Sequence, residues 1–179
     1  MAEHRHKRGL LDTSVVIDLE RIDASSLPAE VAVSALTLAE LAAGPHATTD
    51  PDESARRQER LQRAEATFSP LPLDGKAARA YGRIYAAVAA QGRKARGPRA
   101  IDLLIAATAL AERLPLYTRN PDDFRGLASL LEVHTVEAAA ERSGSTARAA
   151  TSGGSRGGRG RPGPRGRRPR SSGPGRRGR

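Results

Sequence analysis

Four acidic positions lie where a soluble chain does not ordinarily put charge. Asp12 follows the apolar pair Leu10-Leu11 and precedes two hydroxyl residues, Thr13 and Ser14. Glu40 is embedded in "LTLAELAAG", Asp102 interrupts "AIDLLIAATAL", and Asp122-Asp123 come directly after "LYTRNP". Each has a local explanation. Asp12 would cap a helix starting near Thr13 or Ser14. Glu40 would complete the capping box Thr37-x-x-Glu40. Asp102 would complement the dipole of a helix that begins near Arg99, and Asp122 and Asp123 would shape a turn after Pro121. Asp18, Glu20 and Asp23 read as a solvated helix face. Taken jointly, the four positions suggest one chemistry. Two unit charges about 4 Å apart repel by about 4 kcal/mol at an effective dielectric near 20, so converging carboxylates must be protonated or neutralised. A hard divalent cation does this with oxygen ligands, and Mg²⁺ or Mn²⁺ suits carboxylate and water. Zinc is not expected. There is no cysteine, His4 and His6 stand in a terminus expected to fray, and His46 and His134 are isolated in the sequence.

The elements that would bring these acids together alternate in type. "GLL" reads as a buried strand and "SVVIDLERI" as a helix; "VAVSAL" is a second strand and "TLAELAAG" a helix stopped by Gly44-Pro45. Asp50 as N-cap with Pro51 at the first helical position starts a third helix. "PLPL" reads as a short third strand whose two prolines place it at a sheet edge. Asp74 caps a long helix, and "AIDLLIAATALAERL" is a central apolar helix. "LPLYT" and "LLEVHTV" supply strands four and five. Strands separated by helices imply right-handed crossovers and a parallel sheet covered on both faces. Ligands of such sheets sit beyond the carboxyl ends of the strands, where Asp12 and "TRNPDD" both lie.

Composition divides the chain. Of 30 basic residues, eleven are arginines after Arg142, where no acid occurs; residues 1–142 hold the other 19 with all 20 acids and are close to neutral. A single domain with an aliphatic core fits the length, since the chain has two Phe, three Tyr and no Trp. The absence of cysteine excludes disulfides and suits a reducing cytoplasm. No apolar stretch approaches the about 18 residues of a membrane helix, and "MAEHRHKRG" lacks the apolar region of a secretory signal. The tail offers almost nothing to bury beyond alanine and is expected to be disordered.

The stretches "LLDTSVVID", "ALTLAELAAG", "IDLLIAATAL" and "LYTRNPDDF" together resemble the PIN-domain ribonucleases, in particular the VapC-type toxins of bacterial toxin–antitoxin pairs. The likeness runs from about Leu10 to Val136. It implies a three-layer α/β/α fold around a five-stranded parallel sheet, with residues 1–8 a flexible N-terminus, 9–142 the nuclease domain and 143–179 the disordered basic tail. It also implies Mg²⁺-dependent (or Mn²⁺-dependent) cleavage of RNA by Asp12, Glu40, Asp102 and Asp123. Asp12, Asp102 and Asp123 would be the metal ligands, and Glu40 would orient or deprotonate the water. Ser14, Thr118 and Asn120 would support them, with Asp122 an extra acid that substitutes for Asp123 or adds only charge. The basic loop before Asp102 offers Arg93, Lys94, Arg96 and Arg99 to RNA phosphates, and Arg119 adds another. Scarce aromatics favour a structured target, such as a tRNA or rRNA loop, read by shape and backbone. The implied partners are a VapB-type antitoxin, with "SVVIDLERI" and adjoining helices as its groove, and a second copy in a homodimer. The rival reading is a non-catalytic RNA-binding protein assisted by its RGG-like tail. A phosphatase is disfavoured because Ser14 stands where D-x-D would need an aspartate.

Overall fold

Leu10 and Leu11 are both fully buried and face opposite ways, which sets the architecture. The computed structural model describes residues 6–94 and 96–138, so the tail expected at 143–179 lies outside the described residues. Successive side chains of a strand point to opposite faces. In β1 (Arg8–Leu11), Leu10 accordingly joins one apolar cluster and Leu11 another. The alternation repeats at Ala32 and Val33 around the end of β2 (Glu30–Ala32), and at Leu116 and Tyr117 in β3 (Leu116–Thr118). A sheet apolar on both faces has to be covered on both. Helices α4 (Gly75–Ala90) and α5 (Pro98–Glu112) cover the Leu10 face through Ile84, Val88, Leu103 and Ala107. Helices α1 (Thr13–Ile17), α2 (Ala35–Ala43) and α3 (Pro51–Thr67) cover the Leu11 face through Val15, Leu41 and Leu61. The three-layer α/β/α expectation holds.

The five-strand expectation does not. Among the described residues the sheet has four parallel strands in the order β2-β1-β3-β4, with β4 at Val133–Thr135. "PLPL" is reduced to a single bridge of Leu71 to Ser34, just past β2. Leu71 donates to the Val33 carbonyl at 2.9 Å and accepts from the Ala35 N–H at 2.8 Å. Pro70 and Pro72 on either side have no N–H, so the ladder cannot grow. Pairing also starts earlier than Gly9, because the His6 and Lys7 carbonyls accept from the N–H groups of Ala29 and Glu30 at 3.0 and 2.8 Å.

The helix starts follow their caps. Asp50 accepts from the Asp52 N–H at 3.0 Å, and Asp74 from those of Lys76 and Ala77 at 2.9 and 3.0 Å. Helix α2 begins before the Thr37 capping box would allow, because Ser34 is the cap and accepts from the Thr37 N–H at 3.0 Å. Glu40 is thereby left in the helix interior with no capping task. Gly9 lies under the Tyr117 ring, where a Cβ would stand 2.5 Å from Cε2. Gly9→Ala is therefore expected to lower stability by about 1–3 kcal/mol, read as an earlier urea midpoint with an unchanged slope.

Candidate active site

The Asp12 N–H still donates to the Tyr117 carbonyl across the sheet at 2.8 Å, while its own carbonyl already accepts from Val15 and Val16 in α1 at 3.0 and 3.2 Å. Asp12 is thus fixed from both sides at the carboxyl end of β1. Chain order switches here, β2 lying on one side of β1 and β3 on the other, and such switch points open a crevice. Asp12 stands at the N-cap position of α1, yet its side chain does not cap. It is only 4% exposed. One oxygen, Oδ2, accepts from the hydroxyls of Ser14 at 2.7 Å and Thr118 at 2.9 Å. Those hydroxyls in turn accept from the N–H groups of Arg119 (3.1 Å) and Asn120 (3.0 Å), which turns their protons towards Asp12. The other oxygen, Oδ1, is buried and has no hydrogen-bond partner among the described residues. A buried carboxylate oxygen left so costs free energy unless something binds it.

Asp102 projects from the second turn of α5 and is half-buried. Burial, then the charges of Asp12, Asp123 and Glu40, push its carboxyl up to about 7, against the opposing pull of Arg99. Asp102 on α5 therefore lies in the field of Asp12 at the end of β1, Glu40 on α2 and Asp123 in the 3₁₀ turn Pro121–Phe124. Glu40 accepts from the Thr13 hydroxyl at 2.5 Å, which ties α2 to the start of α1. Asp123 is half-buried, whereas Asp122 is exposed and pairs with Arg125 at 2.7 Å. Of these two neighbours, only Asp123 bears on Asp102.

Residues 9–130 match the PIN domain family. The chain belongs to that family. The PIN domain is 37% identical over 131 residues to Ribonuclease VapC5 of Mycobacterium tuberculosis, which spans 72% of this chain and 93% of the relative. Its fold overlays on the crystal structure of VapBC-5, a member of the VapBC family of toxin–antitoxin systems from the same organism. There the TM-score is 0.64 and the identity 38%, over 73% of this chain and 99% of that one. FitAcB from Neisseria gonorrhoeae matches with a TM-score of 0.57 and 29% identity, over 70% and 96% of the two chains. The protein is thus a VapC ribonuclease homologue. Its PIN domain sets Asp102 in the field of Asp12, Asp123 and Glu40 and leaves Asp12 Oδ1 unpartnered, and carboxylate oxygens are the donors a hard divalent cation takes.

Several of the cations expected to meet RNA also make contacts within the PIN domain. Arg93 donates to the carbonyls of Arg125 at 3.0 Å and Asp122 at 3.1 Å, and Arg99 to that of Asp123 at 2.8 Å. Both clamp the backbone that carries Asp123. Arg119 forms an ion pair with Asp18, a residue assigned no role from sequence. Lys94 and Arg96 are exposed and make no ion pair among the described residues. Asn120 enters the site through its backbone N–H. Sequence reasoning missed two supports, Thr13 and Asp18; the only signal for Thr13 was its place between Asp12 and Ser14.

Proposed function

We propose that this PIN domain is a Mg²⁺-dependent endoribonuclease toxin, active in the cytoplasm and neutralised by a VapB-type antitoxin. The support is the unpartnered Asp12 Oδ1 set in a field that keeps Asp102 near half-protonation at neutral pH. Asp12, Asp102 and Asp123 would hold Mg²⁺, with Mn²⁺ as an alternative. The bound ion supplies Lewis acidity, lowering the pKa of water and offsetting charge on the phosphate. Ser14 and Thr118 hold Asp12 in one rotamer with both donors on Oδ2, so that Oδ1 faces the ligand. Glu40, anchored at one oxygen by Thr13, orients the attacking water and takes its proton at the other. Lys94 and Arg96 are the cations left to meet RNA phosphates, while Arg93 and Arg99 set the position of Asp123. The substrate class we assign is structured RNA such as tRNA or rRNA.

A cleft of about 360 Å³ between α1 and α3, lined by Val16, Ile17, Leu19, Ala64 and Phe68 together with Asp18, Glu20, Arg21, Arg60 and Arg63, suits an amphipathic antitoxin segment. Ile17 is 43% exposed there. VapBC-5 is a toxin–antitoxin system by name, and that likeness supports an antitoxin partner; the homodimer is proposed on the family resemblance alone. No described helix is long and apolar enough to cross a membrane.

The test is cleavage of a structured RNA by the purified protein in Mg²⁺ or Mn²⁺. Asp123→Asn is expected to lower the rate about 100-fold, while Asp122→Asn, which breaks only a surface ion pair, stays within about fivefold. Equal rates for the two variants would refute the assignment of Asp123, and RNA binding without any cutting would favour the non-catalytic reading.

A further inference from the structure

On the other margin of the sheet, at the amino ends of β1 and β4, the fold gathers His6, Glu132 and His134, which the sequence shows as isolated residues. One potential ligand atom from each lies within 4.8 Å of the other two. His6 Nε2 is 3.1 Å and His134 Nε2 3.0 Å from the same oxygen, Glu132 Oε1. Ligand atoms about 2.0–2.1 Å from a tetrahedral ion stand about 3.3 Å apart, close to the two imidazole–carboxylate spacings here.

The group is held rather than incidental. His134 lies within β4, where Tyr117 of β3 is its paired residue, and the two rings stack with centroids 4.8 Å apart and planes 17° from parallel. The His6 ring meets His134 edge-on, also at 4.8 Å. All three backbones are tied. The His6 carbonyl accepts from Ala29, and the Glu132 carbonyl accepts from Leu116 at 2.9 Å. His6 Nε2 hydrogen-bonds Glu132 Oε1, so that oxygen already serves one imidazole. His134 Nε2 is buried and makes no hydrogen bond, although it stands in an ion pair 3.0 Å from the same Glu132 oxygen. A buried ring nitrogen close to a carboxylate oxygen and a second imidazole, with no hydrogen bond to either, has the placement of a metal ligand.

We propose that His6, Glu132 and His134 form a second cation site, separate from the acidic cluster and selective for a borderline transition metal, Zn²⁺ before Ni²⁺. Imidazole suits these ions, whereas the all-oxygen cluster around Asp12 suits Mg²⁺ and Mn²⁺. Three protein ligands leave a fourth position open to water or to a further donor. Such an ion would join the chain just ahead of β1 to β4, two segments that are not neighbours in the sheet.

The experiment uses the full-length protein without an affinity tag, carrying Asp12→Asn and held in millimolar Mg²⁺ so that the acidic cluster does not report. Titration with Co²⁺, followed by its visible absorption, and competition with Zn²⁺ read the site. The expected result is one tight equivalent with the intense band of a four-coordinate ion, displaced by Zn²⁺. Its Kd should rise at least about 100-fold in Glu132→Gln and in His6→Ala. His134→Ala should behave likewise; should it fail to fold without the stack on Tyr117, the other two variants still decide. Absence of a tight equivalent, or a Kd unchanged in both Glu132→Gln and His6→Ala, would overturn the proposal.

Discussion

Asp12→Asn is expected to remove Mg²⁺-dependent RNA cleavage, by about 10³-fold or more, while the fold is kept. The magnitude follows from losing Lewis-acid assistance worth several kcal/mol, each about 1.36 kcal/mol being tenfold in rate. The structural side of the argument is specific. Asparagine has the shape of aspartate, and its carbonyl oxygen still accepts from Ser14 and Thr118, whose hydroxyls are aimed by the Arg119 and Asn120 N–H groups. The amide then falls where Oδ1 is buried and unpartnered, and an N–H₂ there repels a cation. Removing the charge also takes away one of the three carboxylates that raise Asp102. Without metal the variant should therefore melt no earlier than wild type, and Asp102 should titrate lower. Cleavage assays, growth arrest on induction and a thermal melt check the three parts. Undiminished cleavage would rule out Asp12 as a cation ligand, and inactivity with an early melt would mean that its role is structural.

Much of this arrangement was legible because it is local or periodic. Asp50 and Asp74 announced two helices by cap chemistry alone, and the apolar runs in β1 and β3 showed that the sheet is buried on both faces. "PLPL" misled because its apolar residues satisfy a strand pattern, while the prolines deny the ladder its donors; pattern and hydrogen-bond supply conflicted, and supply prevailed. The Thr37-x-x-Glu40 match misled for another reason. A capping box is a statement about where a helix begins, and Ser34 starts this one three residues earlier. Arg93, Arg99 and Arg119 read as cations for RNA because sequence shows charge but not what it touches. Two of them hold the carbonyls beside Asp123, and the third pairs with Asp18. His6, Glu132 and His134 could not be joined from sequence at all, since β4 and the start of β1 meet only through the parallel topology. That Asp12, Glu40 and Asp123 come near enough to act on Asp102 was legible only jointly, through the improbability of so many misplaced charges.

Asp102 should give the metal-free protein a stability that declines as pH rises. Its carboxyl titrates near the ordinary 3.8 when unfolded and at about 7 when folded. The native state therefore binds the proton more tightly across that window, and stability falls with each step in pH between about 4 and 7, then levels off. The group is only half-buried, so the loss is about 1–2 kcal/mol rather than the full value of the shift. Other acids pull the opposite way at lower pH. Asp74, held below the usual range mainly by the Ala77 N–H, and Glu53, held there mainly by Arg57, stabilise the fold once ionised. The quantity to read is thus the difference between wild type and Asp102→Asn, in which those contributions cancel. In EDTA the two should melt alike near pH 4, and the variant should melt several degrees later at pH 8. Millimolar Mg²⁺ should invert this order, because it binds the ionised cluster and has less to hold once Asp102 is neutral. It should raise the wild-type melting point at pH 8 much more than at pH 5, leave the variant nearly unmoved, and restore no RNA cleavage to it. Parallel melting curves for the two proteins across pH 4–8 would mean that Asp102 does not ionise among the other acids in the folded state, and the claim that the four carboxylates share one field would fail with it.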